Sequence, residues 1–68
     1  MGNADKIELV KLCVLRLIAE GKVTAEYVSD SLSKNRPLDG FYGEDDKLVY
    51  IDKENSAAGA RLALESLN

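Results

Sequence analysis

Along most of the chain apolar residues recur every three or four positions, and in one stretch they recur every second position. From Ile7 to Glu20 helix formers run almost without a break. Placed on a helical wheel, Ile7, Val10, Cys13, Val14, Leu17 and Ile18 fall on one stripe about 140° wide, the pattern of a helix that buries one side. Leu9, Leu12, Leu15 and Ala19 lie on the other side, among Glu8 and Arg16. A helix apolar on two faces belongs in the middle of the packing. Asn3 or Asp5 is its expected cap, since a short polar side chain there accepts from the free N–H groups of the first turn.

Gly21 supplies the left-handed residue that commonly ends a helix. Thr24 then caps a second helix, with Glu26 near its positive end. Ala25, Val28 and Leu32 give that helix one apolar edge, and Asn35, Arg36 and Pro37 end it. Beyond Pro37 the period changes to two. "LDGFYGEDDKLVYID" carries aromatic and β-branched stretches on either side of the polar turn Gly43-Glu44-Asp45-Asp46, which predicts a hairpin. In its second strand Leu48 and Tyr50 point one way, Val49 and Ile51 the other, so this element too is apolar on both faces. "KENSAAGARLALESLN" predicts a last helix, capped by Asn55 or Ser56, with a stripe of Ala57, Ala60, Leu64 and Leu67. Gly59 and Ala63 allow a close helix approach. The expected fold is a single small α+β domain over residues 1–68, ordered helix, helix, β-hairpin, helix; the alternative is a mostly α three-helix domain.

Composition narrows the chemistry. With 68 residues the chain buries only about 60% of its unfolded surface, and its one cysteine and absent histidine rule out an internal disulfide and the usual zinc ligand sets. No apolar run approaches a membrane span, and the N-terminus lacks the pattern of a signal peptide, so a cytoplasmic location is expected. The net charge of −3 argues against non-specific attraction to nucleic acid or anionic lipid.

The candidate reactive groups have no histidine to activate them. Cys13 sits on the main stripe with no histidine to activate it, and buried cysteines in apolar surroundings are inert. Ser29, Ser31 and Ser33 have no base, which excludes an ordinary triad. Glu44, Asp45 and Asp46 lack the alternating oxygens of a calcium loop and read as a solvated turn. No glycine-rich phosphate loop is present. The expectation is a non-enzyme without metal or cofactor.

Leu17, Ile18, Gly21, Lys22, Val23, Thr24, Ala25 and Glu26 carry a "G-K-[IV]-[ST]-x-E" corner between two helices. Residues 12–32 thereby resemble the SHOCT-like bihelical bacterial modules, departing from them where Tyr27 follows Glu26. The resemblance implies an oligomerisation or docking element. The whole order of elements is also similar to winged-helix DNA-binding repressors, with "FYGEDDKLVYID" as the wing. That order leaves no room for a recognition helix between Leu32 and Phe41 and sets acidic residues at the wing tip. Lys34-Asn35-Arg36, the locally dense basic stretch, reads as the polar end of the second helix, with a phosphate contact at Lys34 and Arg36 as the alternative.

The function expected from these readings is protein–protein interaction or self-association, as a regulator or adaptor that occupies a partner's surface. The partner is a protein, a second copy of the chain, or both. Leu9, Leu12, Leu15, Tyr42 and Tyr50 are the candidate interface residues, because they combine aromatic area with the second face of the first helix. The alternative is a DNA-binding transcriptional regulator of degenerate winged-helix type.

Overall fold

The structure, a computed structural model, describes every residue except Met1, Pro37, Asp45 and Asn68, and describes the backbone alone for Glu44. Helix α1 spans Asn3–Ala19 and α2 Ala25–Ser33; strands β1 (Gly40–Glu44) and β2 (Lys47–Ile51) follow, and α3 (Lys53–Ser66) closes the chain. This is the small α+β order expected from the hydrophobic pattern.

Both helix ends before the hairpin are closed by the same device. Gly21 takes φ +75°, and its N–H donates to the Ile18 carbonyl at 3.0 Å while Lys22 N–H reaches back to Leu17 at 2.9 Å. At the end of α2, Asn35 takes φ +52°. Its N–H donates to Leu32 at 3.2 Å, and Arg36 N–H reaches Ser31 at 3.1 Å. This pair of bonds is the Schellman closure, which satisfies carbonyls that the last turn leaves open. Thr24 caps α2 as expected, its hydroxyl accepting from Tyr27 N–H at 3.0 Å.

The other two caps differ from expectation. Gly2, not Asn3 or Asp5, occupies the N-cap of α1 without a side-chain bond. Asp52, not Asn55 or Ser56, caps α3, since β2 runs into the helix through that one residue. Its carboxylate accepts from the Asn55 main-chain N–H at 2.9 Å and from the Asn55 side-chain amide at 2.9 Å. Ser56 is buried instead, and its hydroxyl donates to the Ile51 carbonyl.

The core gathers around α1. Leu9, Val10 and Val14 of that helix are buried with Val28, Ile51, Ala60 and Ala63. The α1–α3 crossing is closest at Gly59, where a Cβ would lie 2.5 Å from Val10 Cβ and 2.7 Å from the Ile7 carbonyl oxygen. Gly59 and Ala63 therefore do permit the close approach that their size suggested. The strands pair antiparallel with Phe41 opposite Tyr50, Tyr42 opposite Val49 and Gly43 opposite Leu48. The register runs through Glu44 opposite Lys47, so Gly43 and Glu44 belong to the strand rather than to the turn. Asp45 of the expected turn lies outside the described residues.

Candidate protein-interaction surface

A two-stranded sheet has two faces, and here the helices cover one. Residues directly opposite across the strands point the same way, so the register puts Tyr42, Val49 and Ile51 on the inner face. Ile51 is fully buried, while Tyr42 and Val49 pack against the core. Phe41, Leu48 and Tyr50 form the outer face, 70%, 77% and 51% exposed. The Phe41 and Tyr50 rings meet edge to face, with centroids 5.5 Å apart, an arrangement suited to the ring quadrupoles. Together the three side chains offer on the order of 400 Å², roughly a tenth of the 4654 Å² accessible surface of the described chain. Patches of this size are often functional on soluble monomers.

One polar bond holds the patch in shape. Tyr50 Oη donates to Asp39 Oδ2 at 3.1 Å. That bond and the negative charge of Asp39 raise the tyrosine above its ordinary pKa. The phenol stays neutral, which keeps a charge off an apolar surface. Beside the patch, Cys13, Arg16, Leu17, Glu20 and Lys22 line a shallow depression against Phe41 and Gly43. Cys13 is half-buried there, its thiol 4.0 Å from the Gly43 carbonyl oxygen.

The expected interface residues divide. Tyr50 is on the surface as anticipated. On the second face of α1, Leu12, 53% exposed, and Ala19 are open to solvent. Leu9 is only 8% exposed and belongs to the chain's own core, and Leu15 is half-buried against that core. The second face of α1 is thus divided between core packing at Leu9 and Leu15 and solvent at Leu12 and Ala19. Tyr42 points inward and its hydroxyl donates to the Leu38 carbonyl at 3.2 Å, which removes it from the candidate surface. Phe41 and Leu48, which the structure leaves exposed beside Tyr50, were not among the expected candidates. The alternation that sets Leu48 beside Tyr50 was visible, but the cross-strand register that adds Phe41 to them was not.

Lys34 and Arg36, the nucleic-acid candidates, are exposed near the end of α2. Lys34 is committed to Asp30 at 3.3 Å. Among the described residues no helix intervenes between Ser33 and Gly40, and no group of three or more Cys, Asp or Glu side chains could hold a metal ion. No helix is long and apolar enough to cross a membrane. Compared with family models, curated proteins and solved structures, the chain matches none of them.

Proposed function

We propose that the chain is a small, non-catalytic protein-interaction or self-association module that acts, as a regulator or adaptor, by presenting the outer face of its hairpin to a protein surface. The observation that carries this reading is the placement of Phe41, Leu48 and Tyr50 together outside a fold whose core is already closed by Leu9, Val10, Val14, Val28, Ile51, Ala60 and Ala63. Aromatic residues at an interface bury large area at low entropy cost. The corner between α1 and α2 is architecture in this reading: Gly21 and Thr24 spend their special properties on ending one helix and starting the next.

DNA binding has less support. A reading helix before the hairpin is missing among the described residues, and the exposed outer face of the would-be wing is apolar rather than cationic.

The test compares the native chain with Leu48→Glu in two assays, self-association and capture of a protein from host lysate. The variant should keep the native circular dichroism and lose both. Association should also survive high salt, because an apolar contact is not weakened by screening whereas phosphate binding falls steeply. Undiminished capture by Leu48→Glu, or capture abolished by moderate salt, would sink this reading.

A further inference from the structure

A strand has edges as well as faces, and the two edges of this hairpin are unequal. When a two-residue connection closes a hairpin, the closing pair exchanges both main-chain hydrogen bonds, and bonded and non-bonded pairs then alternate. In the observed register the bonded pairs are Glu44 with Lys47, Tyr42 with Val49, and Gly40 with Ile51. Gly43 and Phe41 on β1, and Leu48 and Tyr50 on β2, therefore turn their N–H and C=O groups away from the other strand. The Cys13 thiol near the Gly43 carbonyl oxygen checks this direction and shows what lies there: α1 runs along the outer edge of β1. Among the described residues no hydrogen bond beyond the hairpin engages the main chain of Leu48 or Tyr50.

We propose that the open β2 edge pairs with the same edge of a second copy of the chain, antiparallel and centred on Val49, joining two hairpins into one four-stranded sheet. The proposal rests on the self-association reading above and names its partner and geometry. An unpaired edge is a template for another strand, and this edge is complementary to itself. With Val49 on the two-fold axis, Leu48 of each copy exchanges main-chain bonds with Tyr50 of the other.

The side chains agree with that register. Leu48 has only Gly43 as its neighbour within the hairpin, so one flank of it is bare. Pairing sets Tyr50 of the second copy against its other flank, giving a continuous row of Phe41, Tyr50 and the second Leu48. The two Val49 side chains meet as a non-bonded pair, with Cα atoms about 4.5 Å apart, where side chains are closest. Lys47 comes opposite Ile51 of the other copy, and at the ends the register brings Asp46 opposite Asp52. This repulsion, and the net charge of −3 on each chain, make added salt favour the dimer.

The test uses the whole chain. Sedimentation from micromolar to millimolar concentration should reveal a dimer that strengthens with salt. Amide exchange followed by NMR should slow at Leu48 and Tyr50 as the dimer forms. In a Cys13→Ser background, Val49→Cys should form a disulfide-linked dimer under mild oxidation, and Phe41→Cys should not. Should the cysteine variants fail to fold, the exchange measurement on the native chain decides. A dimer in which the Leu48 and Tyr50 amides exchange as fast as in the monomer overturns edge pairing but spares the interaction reading, since outer faces would then be stacked. A chain that stays monomeric at millimolar concentration also overturns the pairing, and the lysate comparison with Leu48→Glu then judges the interaction reading by itself.

Discussion

The α1–α3 crossing and the β-hairpin use residue size in opposite ways. At the crossing Ser56, Gly59, Ala60 and Ala63 of α3 are buried, and the close approach they allow buries Val10 completely. On the hairpin Phe41, Leu48 and Tyr50 stand in solvent. At the crossing small residues let the helices approach, whereas on the outer face of the hairpin large ones stay in solvent. Burial follows from where the backbones meet rather than from side-chain hydrophobicity alone. Close-packed interiors feel the addition of a single methyl group, while an exposed leucine contributes little to folding.

The largest effect should therefore come from the smallest substitution. Gly59→Ala would drive a methyl into Val10 Cβ and the Ile7 carbonyl, neither of which can swing aside. The helices must part, at a cost of about 3 kcal/mol, the upper end for overpacking. Urea unfolding should show a lower midpoint with an unchanged slope. A gain in stability, as alanine gives at an open helical glycine, would mean that the crossing is looser than the geometry indicates.

The corner should respond less. At Gly21 a Cβ would meet nothing within 4 Å, so only the left-handed backbone objects to alanine, and Gly21→Ala should cost about 1 kcal/mol. Thr24→Ala should cost about the same through the lost cap. Association should be unaffected in both once the protein is folded. Loss of association in a folded Thr24→Ala protein would move the corner from architecture into the interaction surface.

These contrasts explain what could be read along the chain. The order of elements, the left-handed Gly21 and the Thr24 cap are local signals, each set by a few neighbouring residues. The cap of α3 went to Asp52 because the strand and helix share a junction, so the first helical residue depends on where pairing stops. The exposed apolar face was harder still. Leu9 and Leu12 look alike on a helical wheel, yet their exposures are 8% and 53%. Tyr42 and Phe41 are adjacent, but the strand pleat sends one inward and the other out. Which of two apolar faces a helix or strand covers is decided by elements distant in sequence, and periodicity carries no information about that choice.

A polar change on the outer face sharpens the comparison. Leu48→Thr puts a β-branched residue into the strand and removes exposed apolar area, so stability should stay within about 0.5 kcal/mol of native. Self-association should nevertheless weaken, as measured by sedimentation. A large loss of stability would mean that Leu48 supports the monomer, and the division between a holding region and a contacting region would fail.

The smallest effects should come from pH, one group in each region. At the head of α3, the Asn55 main-chain N–H donating to Asp52 is the main cause holding that carboxyl below its ordinary pKa. The Asn55 side-chain amide and the charge of Lys6 also lower it, against partial burial, which acts the other way. A lowered folded pKa gives stability that is full above the unfolded aspartate value and is lost as pH falls through the folded one. On the hairpin the sign reverses. The bond to Asp39 and the charge of Asp39 raise the Tyr50 pKa, so the folded state holds the phenolic proton more tightly. That contribution is full below the unfolded tyrosine value of about 10 and is lost as pH rises through the folded one. Acid should therefore loosen the start of α3 before the hairpin, and alkali the hairpin alone. Asp39→Asn removes the charge and keeps an acceptor, so the Tyr50 phenolate, resolved by difference against Tyr50→Phe, should appear at lower pH than in the native chain. An unchanged phenolate titration in Asp39→Asn would show that Asp39 does not hold Tyr50 in solution, and the outer face would then lack its polar anchor.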